Sequence, residues 1–181
     1  MYSKEPLWLL PEEVIKKYED FCFMNGINEK RLVKLFDVGL LRGNDNRQTR
    51  KIEILEESFE DLRNHIKYNH FLQGSKADAV VKMPVYIKYR YKIYYEKNYH
   101  WHTPAEALKT YSNILQYEKN ISIEFIGELV SMNVVIGRYK PSESSYQVFL
   151  PSFTDLIKYR EYSVEKNHWL PPPEIPPEDQ P

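Results

Sequence analysis

The pentapeptide Ser58-Phe59-Glu60-Asp61-Leu62 (SFEDL) returns as Ser152-Phe153-Thr154-Asp155-Leu156 (SFTDL), 94 residues further on. One such coincidence carries little weight, so the flanks decide. At the same offset Ile27 falls on Ile121, Leu35 on Leu129, Gly43 on Gly137 and Tyr68 on Tyr162. At an offset of 93, Trp8 falls on Trp101, Pro11 on Pro104, Glu13 on Glu106, Lys16 on Lys109 and Tyr18 on Tyr111. A single inserted residue near position 119 reconciles the two offsets. Self-similarity kept in order over about 60 residues marks a tandem duplication of one small unit. The alternative is two parts of one larger fold.

Each unit reads as helix, helix, hairpin, helix. Val14, Ile15, Tyr18, Phe21 and Cys22 share one helical face, as do Ala107, Leu108, Tyr111, Ile114 and Leu115. Pro11 and Pro104 suit a first turn. Acidic residues follow them at the positive helix end, and Thr103 stands ready as a cap. A second helix starts near Asn28 or Ser122; it buries Leu32, Leu35 and Phe36 in one unit, and Ile126, Leu129 and Val130 in the other. Strand-like runs follow at 39–42 and 51–55, and at 134–136 and 146–150, around polar loops opened by Gly43 and Gly137. The pentapeptide then begins a third helix. Ser58 and Ser152 read as N-caps, Asp61 and Asp155 as acidic first-turn residues, and the Phe and Leu as core contacts.

That order is the order of a small winged helix. The second unit resembles the excisionase and MerR-like winged-helix family. HTPAEAL (102–108) is similar to the start of the family's first helix, and 123–159 is similar to its second helix, wing and closing helix. GLLRG (39–43) and ILEESFEDL (54–62) carry the same pattern in the first unit. The first helix here is about two turns longer than in the family. The resemblance implies an α+β fold, a tandem duplication of winged helix-turn-helix units joined by an extended β connector. The expected boundaries are 1–72 for unit one, 73–100 for the connector, 101–168 for unit two and 169–181 for a Pro-rich acidic tail. It also implies double-stranded DNA as partner, with the second helix in the major groove and the wing on the backbone or minor groove.

The charges divide unevenly between the copies. In unit one, Lys30, Arg31, Lys34, Arg42, Arg47, Arg50 and Lys51 stand against Glu29, Asp37 and Asp45, leaving +4 over residues 27–51. Asn44, Asn46, Gln48 and Thr49 add groups that reach phosphate or base edges. In unit two, Arg138 and Lys140 stand against Glu124, Glu128 and Glu143, leaving −1 over 121–145. Unit one is therefore the expected DNA reader, and unit two the expected partner-binding or structural copy. The bland reading of unit one is a solvated helix face with a polar hairpin.

Between the units, VYIKYRYKIYYEK alternates from Val85, with Tyr86, Lys88, Arg90, Lys92 and Tyr94 on one side. Such a strand offers a cationic, tyrosine-flanked face for nucleic acid or a partner, or simply protects a sheet edge. The tail WLPPPEIPPEDQP suits an extended ligand for a proline-reading partner, or a solubilising end.

The rest of the composition excludes more than it assigns. The net charge is −1, so any pull on nucleic acid is local. A single cysteine, Cys22, rules out an intrachain disulfide framework and reads as core. His100 and His102 lack the carboxylates or thiols of a metal site, and no cofactor is expected. No nucleophile elbow, phosphate loop or paired-carboxylate motif is present, so no enzyme is expected. No apolar run spans a membrane or makes a signal peptide, which points to a soluble cytoplasmic protein. The expectation is a non-catalytic DNA-binding accessory or transcription regulator, excisionase-like. The rival is a protein-interaction or assembly module of a phage or mobile element, favoured by 15 tyrosines, the acidic second unit and the tail.

Overall fold

The computed structural model describes residues 5–46, 48–74, 100–110 and 121–167. It is a mixed α+β fold in which, among the described residues, the order strand, helix, helix, two-stranded hairpin, helix occurs twice, with the further short helix Glu19–Met24 in the first copy. The first unit runs β1 (Trp8–Leu9), α1 (Pro11–Lys17), α2 (Glu19–Met24), α3 (Glu29–Asp37), β2 (Gly43–Asn46), β3 (Lys51–Leu55) and α4 (Glu56–Leu72). The second runs β4 (Trp101–His102), α5 (Pro104–Thr110), α6 (Ile123–Ser131), β5 (Gly137–Lys140), β6 (Ser145–Phe149) and α7 (Leu150–Asn167). Each unit has a three-stranded antiparallel sheet, ordered β1-β3-β2 and β4-β6-β5. The registers match. Gly43 pairs with Ile54 as Gly137 pairs with Val148, and Trp8 pairs with Leu55 as Trp101 pairs with Phe149.

The helix starts follow the expected chemistry. Asn28 Oδ1 accepts from Arg31 N at 2.9 Å, and Ser122 Oγ from Phe125 N at 3.1 Å. Thr103 and Glu106 close a reciprocal capping box, at 2.8 and 3.2 Å. The long first helix of unit one divides at Tyr18 (φ −117°, ψ 36°) into α1 and α2.

Three expectations are corrected. First, the hairpins begin four or three residues later than the apolar runs suggest. Leu40 and Leu41, like Val134, Val135 and Ile136, are buried one after another, which a half-exposed strand with alternating faces does not allow. They lie in the turns that end α3 and α6. Each turn is a Schellman motif: Leu40 N donates to Leu35 O and Gly39 N to Phe36 O, as Val134 N donates to Leu129 O and Asn133 N to Val130 O. The left-handed residue is Gly39 (φ 79°) in one copy and Asn133 (φ 59°) in the other. Second, Ser58 and Ser152 are not N-caps. Helices α4 and α7 start two residues earlier, and each buried hydroxyl instead accepts the amide N–H of Arg42 (2.8 Å) or Ile136 (2.6 Å). The repeated serine thus ties the hairpin entry to the third helix. Third, each sheet has a strand, β1 or β4, too short for the alternation rule to find.

Gly43 and Gly137 are needed for close approach rather than for an unusual φ. A Cβ on Gly43 would lie 2.4 Å from Glu53 O, and one on Gly137 would lie 2.5 Å from Val130 Cγ1.

The two units share one core. Leu32, Leu35, Leu40 and Leu62 join Leu129, Val134, Phe153 and Tyr159 in a single buried cluster. Polar contacts cross it: Asn69 Nδ2 donates to Asn133 O (2.9 Å) and Val134 O (3.0 Å), and Asn133 Nδ2 donates to Asn25 Oδ1 (3.3 Å).

Candidate nucleic-acid interface

The hairpin of unit one is held by local chemistry. Asn46 Oδ1 accepts from Gln48 N (3.1 Å) and Thr49 N (3.2 Å), a side-chain-closed turn. Arg50 then takes a left-handed φ of 52°, as Ser144 does at the equivalent place (45°). This geometry leaves Asn44, Gln48, Arg50 and Lys51 exposed. Among the described residues Arg50 and Lys51 enter no ion pair. Helix α3 borders the same region: Val33 lines one shallow concavity of about 260 Å³ together with Arg50, Lys51, Ile52 and the Leu10–Glu12 segment, whose Glu12 is its one acid. Lys30 is exposed on α3.

Three of the basic residues expected to meet DNA in unit one, Arg31, Lys34 and Arg42, are occupied. Arg42 is a correction to the sequence reading: it is buried, and its Nη2 pairs with Asp61 Oδ2 at 2.9 Å. It follows the Schellman turn at the head of β2, so its side chain enters the protein. Lys34 Nζ meets Glu128 Oε1 at 2.5 Å, and Arg31 Nε lies 3.5 Å from Glu128 Oε2. Arg31 Nη1 also donates to Gly26 O at 2.6 Å. The hydrogen bond from Lys34, then the charges of Lys34, Arg31 and Lys30, hold the Glu128 carboxyl below its usual range.

The hairpin of unit two carries different chemistry. Arg138 stacks on the Trp101 ring, 4.2 Å from its centroid, and its Nε donates to Gln147 Oε1 at 2.9 Å. Lys140 pairs with Glu143. Tyr139 and Tyr146 face each other across the ladder, with ring centroids 5.3 Å apart, and both are about half exposed. The matching pair in unit one is Asp45 and Ile52.

A second asymmetry lies beneath the surface. Asp155 is the counterpart of Asp61, but Ile136 stands where unit one has Arg42. Both carboxylate oxygens of Asp155 are buried with no hydrogen-bond partner among the described residues, and burial pushes its pKa up to about 7. The sequence holds the signal for this, an Arg-to-Ile change opposite a repeated Asp, although composition alone does not draw attention to it. Glu128 was likewise legible as a charge inversion of Lys34 at the repeat offset.

Arg47 of the hairpin, the connector residues Tyr86, Lys88, Arg90, Lys92 and Tyr94, and the tail lie outside the described residues. Cys22 is buried, and burial raises its thiol pKa to about 11. Among the described residues no group of three or more His, Cys, Asp or Glu is placed to hold a metal, and no helix is long and apolar enough to cross a membrane.

Comparison with known proteins adds nothing to these observations: no family model, no curated protein and no solved structure matches the chain.

Proposed function

We propose that this chain is a non-catalytic DNA-binding protein, of the excisionase or transcription-regulator kind, built from two winged-helix units. The β2–β3 hairpin of unit one is its wing. The observation that carries this reading is the exposed Asn44, Gln48, Arg50 and Lys51 on that hairpin, its cations free of ion pairs among the described residues and beside helix α3. Cations on such a hairpin neutralise phosphates, and amides beside them reach sugar or base edges. Lys30 extends the same charge onto α3. The element order in each unit and the third strand pairing with the hairpin support the winged-helix reading. Arg42 is excluded from the contact set, and Arg31 and Lys34 contribute only as far as they leave Glu128.

Fluorescence polarisation with a mixed-sequence duplex, repeated across salt concentrations, tests this. Three or four phosphate contacts give a slope of log K against log salt of about −3 to −4. No binding at micromolar protein in low salt removes the proposal.

A second reading is favoured by one observation. The exposed Tyr139–Tyr146 pair replaces Asp45 and Ile52, and exposed tyrosines are enriched at protein interfaces. In that reading unit two docks a protein partner while unit one holds DNA. Loss of partner capture, with unchanged DNA binding, on Tyr139→Ser/Tyr146→Ser replacement is its test.

A further inference from the structure

Lys34 and Glu128 occupy the same position of the repeat, 94 residues apart, yet carry opposite charges. The two second helices, α3 and α6, face each other so that these equivalent side chains meet, at 2.5 Å. Glu128 also takes Arg31, at 3.5 Å. One carboxylate therefore gathers two cations of α3, the second helix of unit one, which the winged-helix reading sets in the major groove. Lys30 lies in the same field, since its charge helps hold the Glu128 carboxyl ionised.

The contact lies at the surface. The Glu128 side chain keeps 28 % exposure and that of Lys34 39 %. A groove of about 230 Å³ runs beside them between α3 and α6, and its seven lining residues include Lys34, Phe125, Asp37, Glu124 and Glu128. Three of the seven are acidic and Lys34 is the one base among them, so the groove repels a phosphate even where Lys34 attracts one. Lys34 is further held over the Phe125 ring, 5.9 Å from its centroid.

A carboxylate that accepts from a lysine ammonium and lies against an arginine guanidinium makes the contacts a backbone phosphate makes. Ion pairs at such exposure contribute little to folding. A pair that adds little stability and occupies two cations of a recognition helix has a regulatory geometry. We infer that Glu128 is an intramolecular stand-in for DNA phosphate, an autoinhibitory contact by which unit two masks Arg31 and Lys34 of unit one. This inference rests on the DNA reading above. The unmasked protein makes up to two more phosphate contacts than the masked one.

The test compares the full chain with Glu128→Gln and Glu124→Gln in polarisation titrations against the same mixed-sequence duplex over a salt series. Glu124 lies in the same groove and is exposed, so its replacement changes net charge equally. Thermal melting of all three confirms equal folding. Release of two cations steepens the slope of log K against log salt by about one to two and tightens low-salt binding roughly three- to tenfold. That change in Glu128→Gln, absent in Glu124→Gln, supports the inference. Detectable binding by Glu128→Gln where the parent chain shows none supports it more strongly. Binding by the parent chain with equal effects of the two substitutions overturns the masking and leaves the DNA reading standing. No binding by any of the three overturns both. A Glu128→Gln chain that melts much lower is replaced by Glu128→Ser, read in the same way.

Discussion

His65 and Tyr159 lie at the same position of the two units, their rings 5.2 Å apart, and each reaches into the other unit. His65 Nε2–H donates to Val134 O at 3.0 Å, and Tyr159 Oη–H donates to Leu40 O at 2.9 Å. Leu40 and Val134 are themselves equivalent in the repeat. The carbonyl can only accept, so it fixes the proton on Nε2 of His65. The interface is thus reciprocal, as in a two-fold dimer, but with different side chains meeting.

Tyr159→Phe keeps the ring and removes the donor. Leu40 O is then left without that bond in a buried site, at a cost of about 1–3 kcal/mol. Val134 O keeps the Asn69 amide when His65 is changed. Urea unfolding followed by tryptophan fluorescence is expected to show the loss as one transition, because both units share a core. Two separated transitions in the parent chain would contradict the shared core.

Asp155 and His65 give stability opposite pH dependence. The folded pKa of Asp155, about 7, lies above the unfolded value. Its contribution is full below the unfolded pKa of about 4 and is lost as pH rises through 7. The folded pKa of His65 is lowered to about 4 by burial. Its contribution is full above the unfolded pKa of about 6.5 and is lost as pH falls towards 4. Asp155→Asn is therefore expected to leave stability little changed near pH 4 and to raise it at pH 8. The gain at pH 8 is up to about 4 kcal/mol, less the cost of an unpaired amide. Denaturant midpoints across the pH range check the sign; a variant weaker than the parent at pH 8 contradicts a buried charged Asp155.

Three glycines separate by what surrounds them. Gly43→Ala drives a methyl into the Glu53 carbonyl, a backbone atom that cannot rotate away, and costs about 3 kcal/mol or more. Gly137→Ala meets the Val130 methyls and comes within 3.1 Å of Gln147 O, at a cost of about 1–3 kcal/mol as Val130 shifts. Gly127→Ala meets nothing within 4 Å inside α6, and gains about 0.5–1 kcal/mol. Melting temperatures in that order are the expected outcome.

Much of this was legible in the sequence. The repeat, the caps at Asn28, Thr103 and Ser122, and a helix over the pentapeptide follow from local rules, because caps and helical faces depend on neighbours a few residues apart. The turns at Leu40–Leu41 and Val134–Ile136 depart from the expected strands because their apolar residues enter buried clusters built from both units. A short-range rule sees an apolar run and assigns a strand. Arg42 departs from the expected contact set for a related reason: its partner Asp61 lies nineteen residues away, on helix α4. The exposure of Asn44, Gln48, Arg50 and Lys51 follows from hairpin chemistry alone.

The central claim, that the unit-one hairpin grips duplex DNA, is tested most directly by reversing its charge. Arg47→Glu, Arg50→Glu and Lys51→Glu are combined in one chain, and its polarisation titration at low salt is compared with the parent. Loss of binding of about a hundredfold or more, with an unchanged melting temperature, is the expected result. Equal affinity in the two chains would contradict the assignment of the hairpin.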